Sequence, residues 1–169
     1  NNSGILGNPF ASIQVAINAS KAKDTVYVYN GSYNENINFN GKNIHLVGES
    51  KDSTIISGNN DDRVVSFLNG ENNNASISNF TIINGLGGIV ISNSSPTLKN
   101  LIIKDNIASA HGGGINIFNS NVNISHTVIT KNSGCCGGGL NIDQSEVVLT
   151  NCSIVGNLSA SGMIINGGS

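Results

Sequence analysis

Three stretches of the chain repeat one another at intervals of about 25 residues, and no other feature constrains its fold as much. The first runs Gly88-Ile89-Val90-Ile91, Ser95-Pro96-Thr97-Leu98 and Leu101-Ile102-Ile103-Lys104-Asp105-Asn106. The second runs Gly114-Ile115-Asn116-Ile117, Asn121-Val122-Asn123-Ile124 and Thr127-Val128-Ile129-Thr130-Lys131-Asn132. The third runs Gly139-Leu140-Asn141-Ile142, Glu146-Val147-Val148-Leu149 and Cys152-Ser153-Ile154-Val155-Gly156-Asn157, and a fourth opens at Gly162-Met163-Ile164-Ile165. Each unit holds three short runs in which apolar and polar residues alternate, the signature of a strand with one buried face. Ile115, Ile117, Leu140, Ile142, Ile103, Ile129 and Ile154 fall on the inward parity, and Asn116, Asn141 and Lys104 on the outward one. Three strands per unit, stacked at about 4.8 Å per coil, predict an all-β chain wound as a right-handed parallel β-helix.

The composition fits that frame. Only 11% of residues are charged, while there are 21 glycines and about 30 asparagines. The glycine runs 112–114 and 137–139 are expected to make sharp corners through positive φ. Asn106, Asn132 and Asn157 recur at one turn and are expected to stack as a structural amide ladder, at positions that tolerate left-handed backbone. Like charges stacked there would repel. Residues 25–83 read as earlier, less regular coils. Thr25 to Tyr29 has its valines inward, followed by Ile37 and Phe39, Ile44 and Leu46, Thr54 to Ile56, and Val64 to Leu68. The count is about six coils.

Residues 9–22 carry a different period. Asn8 followed by Pro9 predicts a helix start, and Phe10, Ile13, Ala16 and Ile17 share one face. A short helix there would cover the first coil's open end. The expected organisation is a cap over residues 1–24 and coils over 25–169, regular from about 87. No second cap follows Ile165, so further coils or a partner are expected at that end.

Charge and hydropathy exclude some functions. A net charge of -2 with eight Lys and Arg argues against a nucleic-acid surface. No apolar run approaches the roughly 20 residues needed to span a bilayer.

Several segments carry a family resemblance. Phe10 to Ile17, Asp24-Thr25-Val26-Tyr27-Val28, Gly31-Ser32-Tyr33-Asn34-Glu35-Asn36-Ile37, Gly41-Lys42-Asn43-Ile44 and Thr54-Ile55-Ile56-Ser57-Gly58 resemble the opening of secreted right-handed β-helix proteins of the pectin-lyase-like superfamily. The Gly-Gly-Gly-Ile and Ile-x-x-Asn repeats resemble those of bacterial surface β-helix proteins. The resemblance implies the fold and an extracellular or cell-surface location. Gly31, Tyr33 and Glu35 match an early pectin methylesterase motif, but the later motifs of that family do not appear. The polygalacturonase set is incomplete, and Arg63 is the single arginine where pectate lyases need an arginine base beside clustered carboxylates. No catalytic residue is carried over.

The remaining candidates are binding residues. Tyr27 and Tyr29 should project outward together and offer a flat aromatic pair to a sugar face. Asp61, Asp62 and Arg63 form the densest charged cluster, readable as a ligand contact or as a solvated turn. His45, His111 and His126 lack ligand spacing, so no metal and no cofactor is expected. Cys135, Cys136 and Cys152 are disulfide candidates, with free thiols as the alternative. The leading expectation is a non-catalytic extracellular rod or adhesin module that binds glycans or proteins through its lateral face. The alternatives are a partial polysaccharide-active enzyme, or a subunit of an assembly joined through the C-terminal coil.

Overall fold

The structure, a computed structural model, describes residues 4–5, 7–109, 111–159 and, as backbone, 163–166. The opening glycine of the fourth repeat, Gly162, lies outside the described residues. The first coil passes through β1 (Thr25–Val28), β2 (Gly31–Asn34) and β3 (Ile37–Asn38). Later coils lay their strands beside these, building three parallel six-stranded sheets. The first sheet holds β1, His45–Gly48, Ser76–Ser78, Thr97–Lys99, Asn121–Ser125 and Glu146–Thr150. The second runs from β2 to Ser153–Val155, and the third from β3 to Met163–Asn166. The chain is an all-β parallel β-helix with one short helix near its N-terminus, six strands deep.

Alternation decides which side chains enter the solenoid. In the second sheet Ile56, Ile82, Ile103 and Ile129 stack in register and are fully buried. In the third, Val65, Ile89, Ile115 and Leu140 form one column. Phe39 and Phe67 stack with ring centroids 4.1 Å apart. Each buried aliphatic side chain contributes about 1.5–3 kcal/mol. The alternation of apolar residues breaks at residues 64–68. Val64 and Val65 are both buried and Leu68 is exposed. Val64 has room because Gly58 and Gly85 pack against it, where a Cβ would overlap.

The corners and ladders differ in detail from the expectation. Only the first glycine of each run, Gly112 and Gly137, has positive φ. Gly113, Gly114 and Gly138 are constrained by the neighbouring coil, whose carbonyl oxygens lie where a Cβ would sit. Similarly, the left-handed residues at the next turn are Asp105, Lys131 and Gly156, one position before the asparagines. Asn106 and Asn132 point inward and are fully buried. The Asn106 amide donates to Asn132 Oδ1 at 2.9 Å, and the Asn132 amide to Asn157 Oδ1 at 3.0 Å. The same oxygens accept the backbone N–H of Asn106 (3.2 Å) and Asn132 (3.0 Å). A carboxylate could not supply both donor and acceptor at such a step.

A second ladder runs through Ser94, Ser120 and Ser145. The N–H of Ser94 donates to Ser120 Oγ and that of Ser120 to Ser145 Oγ. It begins at Glu71, a buried carboxylate that accepts the N–H of Gly41 (2.8 Å) and Asn69 (3.0 Å) and the hydroxyl of Ser94 (2.8 Å).

The helix α1 (Ile13–Ala19) is shorter than the sequence pattern suggested and starts after Ser12 rather than Asn8. The first coil fixes its ends. The Glu35 carboxylate accepts the N–H of Ile13 (2.8 Å) and Gln14 (2.9 Å) and the Ser12 hydroxyl (2.7 Å). Ser12 Oγ takes the N–H of Val15, so the first helical N–H groups are satisfied at this point. At the other end the Lys42 ammonium donates to the carbonyls of Asn18 (2.9 Å) and Ser20 (2.5 Å). Negative charge at the N-terminus and positive charge at the C-terminus both complement the helix dipole. Gln14 closes the exposed edge of β3. Its amide nitrogen donates to Asn38 O (3.0 Å) and its oxygen accepts Asn38 N–H (2.7 Å), as a neighbouring peptide would.

Candidate functional site: an aromatic cleft at the capped end

The cap covers β3 more completely than β1. Between α1, β1 and the segment at Gly4, Ile5, Pro9 and Phe10 lies an open cleft of about 500 Å3. One wall is built from Thr25 to Tyr29 with Tyr33, and the other from Phe10, Ile13 and Ala16. Its polar groups include Ser12, Ser20 and Asp24.

Strand geometry leaves backbone groups available on this wall. The N–H of His45 donates to Asp24 O and that of Glu49 to Val28 O. Residues 24, 26 and 28 therefore turn their peptide groups toward the second coil. Those of Thr25 and Tyr27 face the opposite way, along an edge of the sheet where no other strand of the described residues pairs with them.

Tyr27 and Tyr29 stand at this edge, 53% and 45% exposed. Their rings meet edge to face at 82°, with centroids 5.5 Å apart. This corrects the expectation of a flat pair. The two rings form a corner, in which one ring face and one ring edge are presented together. Gly4, Ile5, Pro9 and Phe10 line the cleft opposite them. Tyr33 supports the corner by donating its hydroxyl to Tyr29 O at 2.9 Å. Burial, then the Glu35 and Glu49 carboxylates, hold the Tyr33 hydroxyl above the usual phenol range, which keeps it a donor.

The charged cluster lies elsewhere and is internally engaged. Arg63 reaches forward two coils and donates to the carbonyls of Gly112 (2.7 Å) and His111 (2.8 Å). Its guanidinium passes so close to Gly87 that a Cβ there would overlap it. Burial pulls the Arg63 guanidinium below its usual range, and Asp62 pulls it back up. The Asp62 carboxylate accepts the Arg63 N–H, and Asp61 accepts the Asn36 amide. The three residues brace a turn and do not meet the tyrosines in the cleft.

The cysteines are free thiols rather than disulfides. Cys152 Sγ donates to Ile124 O, while Cys135 and Cys136 pair with each other. His45 Nδ1 lies 2.9 Å from Ser76 Oγ, and His126 Nε2 lies 3.2 Å from the Asn151 amide. Among the described residues no three His, Cys, Asp or Glu side chains come together as a metal cage.

The motif Gly31-x-Tyr33-x-Glu35 now has a structural account. Glu35 caps α1 and Tyr33 holds the Tyr29 carbonyl. Neither job requires chemistry on a substrate. The signal for Glu35 was present in the sequence, but its partner lies 21–23 residues earlier and only the fold brings the two together.

Comparison with solved structures agrees with the architecture. The chain superposes on the pectin methylesterase PemA from Erwinia chrysanthemi with a TM-score of 0.60 and 14% identity, over 86% of this chain and 53% of that one. The fold is that of the pectin-lyase-like parallel β-helices. A protein of Geobacillus virus E2, ORF18, matches with a TM-score of 0.67 and 20% identity, over 91% of this chain and 36% of that one. A pectin methylesterase variant solved in complex with a hexasaccharide matches with a TM-score of 0.54 and 14% identity, over 88% of this chain and 65% of that one. The chain thus spans about half the length of PemA. No family model and no curated protein matches it. At these identities the likeness establishes the pectin-lyase-like fold and leaves activity to the site itself.

Proposed function

We propose that this β-helix is a non-catalytic, extracellular glycan-binding module, a rigid rod that takes sugar at the N-terminal edge of its first sheet. One observation carries this reading: half-exposed Tyr27 and Tyr29 form an aromatic corner beside the peptide groups of Thr25 and Tyr27, which no other strand of the described residues pairs, in a cleft of about 500 Å3. Aromatic rings pack against the C–H faces of pyranose rings, and peptide groups and tyrosine hydroxyls bond the sugar hydroxyls at the rim. The low charge of the chain favours neutral or weakly acidic saccharides. The solved hexasaccharide complex of a structurally similar esterase supports oligosaccharide as the ligand class. No helix of the described residues is long and apolar enough to cross a membrane.

The test is calorimetric titration with neutral and uronic-acid oligosaccharides, repeated with Tyr27→Ala and Tyr29→Ala. Each ring contributes about 0.5–1.5 kcal/mol, so each variant should bind about 2- to 12-fold more weakly. Absence of binding across the panel, or binding indifferent to both substitutions, overturns the proposal. Release of methanol or of shortened chains from pectin would instead favour the polysaccharide-active enzyme.

A further inference from the structure

The corner before the second glycine run carries two adjacent cysteines that the sugar-binding reading does not use. Cys135 is exposed, Cys136 is half-buried, and their sulfurs lie 3.1 Å apart. The backbone on each side is pinned to neighbouring coils. Gly134 N–H donates to Leu158 O at 3.2 Å, and Cys136 O accepts Gly112 N–H at 2.9 Å. His111 and Cys136 also pair as a parallel bridge. The two thiols are therefore presented together by a backbone that has little freedom to move.

That backbone disfavours a direct sulfur–sulfur bond. Adjacent Cα atoms across a trans peptide are about 3.8 Å apart, whereas disulfides usually need about 4.4–6.8 Å. Strain of this kind makes a disulfide easy to reduce. A single bridging atom removes the conflict, because the ring is one atom larger and the sulfurs need not approach bonding distance. Soft thiophilic centres favour thiolate ligands over oxygen or nitrogen donors. Hydrogen bonding to Cys136 pushes the Cys135 thiol above its usual range.

We propose that Cys135 and Cys136 form a chelating dithiol that takes up one trivalent arsenical, or a comparable thiophilic centre, bridging the two sulfurs. With an organoarsine oxide, the arsenic–oxygen bond breaks and two arsenic–sulfur bonds form. The two thiol protons leave with the oxygen as water. Arsenic stays trivalent, and no oxidant or reductant takes part.

The test uses the full reduced chain, freed of reductant, with one equivalent of phenylarsine oxide. Adducts are read by intact mass, and accessible thiols by a chromogenic disulfide under denaturing conditions. One arsenical should add and protect two of the three thiols. The adduct should survive excess 2-mercaptoethanol and be removed by dithiothreitol. Cys135→Ser and Cys136→Ser should each lose the monothiol-resistant adduct, whereas Cys152→Ser should keep it. Circular dichroism checks that each variant remains folded. Loss of the adduct in Cys152→Ser, its retention in either of the other variants, or no monothiol-resistant adduct in the parent chain would overturn the assignment.

Discussion

Replacing Asn132 by Ala tests the amide ladder at its centre. The side chain is fully buried and makes four hydrogen bonds. Its amide donates to Ile103 O (2.9 Å) and Asn157 Oδ1 (3.0 Å), and its oxygen accepts from the Asn106 amide (2.9 Å) and the Asn106 N–H (3.2 Å). The Asn106 amide retains Ile82 O and Lys104 O, so it stays satisfied. Among the described residues the Asn106 N–H has no other partner and becomes a buried orphan, at a cost of about 1–3 kcal/mol. Adding the remaining net hydrogen-bond losses gives about 3–5 kcal/mol in all. Set against a typical domain stability of about 5–15 kcal/mol, that is a large share. Urea unfolding followed by far-UV circular dichroism reads it, with Asn123→Ala as the control. Asn123 is exposed on the outer face, so its loss should change stability by no more than about 0.5 kcal/mol. Asn132→Asp should be worse than Ala at neutral pH, because the new oxygen faces two acceptors, Ile103 O and Asn157 Oδ1. Acid should partly restore it by returning one donor. If Asn132→Ala and Asn123→Ala unfold at the same urea concentration, the ladder contributes nothing and this reasoning fails.

Three further outcomes follow from other parts of the molecule. Ile129→Asp places an unpaired charge at a fully buried position between Ile103 and Ile154, and should cost more than about 4 kcal/mol; an unchanged melting temperature would refute the inward parity. Glu35→Ala removes three hydrogen bonds at the start of α1 and should cost about 3 kcal/mol, with Glu35→Gln at about 1 kcal/mol because one acceptor oxygen remains; equal stability of all three chains would remove Glu35 from the helix cap. The Tyr33 hydroxyl titrates above its unfolded value of about 10, so its contribution is complete below that pH and is lost as pH rises through the folded value. Urea midpoints from pH 9 to 12 should therefore fall less steeply in Tyr33→Phe than in the parent chain, and superimposable pH profiles would contradict this.

What the sequence made legible was set by distance along the chain. Alternation is a local pattern, so the inward columns at Ile103, Ile129 and Ile115 could be read without a structure. The coil period was also visible, because the same residue type recurs every 25 or 26 positions. The serine ladder at Ser94, Ser120 and Ser145 has that same spacing, but serine is so abundant in the turns that its period does not stand out. The contacts that shape the candidate site leave no comparable trace. Glu35 and Lys42 hold a helix more than 20 residues away, and Arg63 crosses to carbonyls 48 and 49 residues ahead. Apart from the Ser12 hydroxyl on Glu35, the partners are backbone groups, which any residue supplies, so sequence carries only half of the pair.

This asymmetry explains why the charged residues are engaged within the fold. In a low-charge solenoid, a charged side chain beside a coil end meets unsatisfied peptide groups before it meets a ligand. Glu35 finds the helix N-terminus, Glu71 finds the N–H groups of Gly41 and Asn69, and Arg63 finds two corner carbonyls. Densely charged Asp61-Asp62-Arg63 therefore marks an internal brace. Tyr27 and Tyr29 differ because the edge beside them keeps peptide groups that no side chain of the described residues has claimed. On that edge an aromatic corner and unpaired backbone coincide, which is why the ligand is sought there rather than at the cluster of charge.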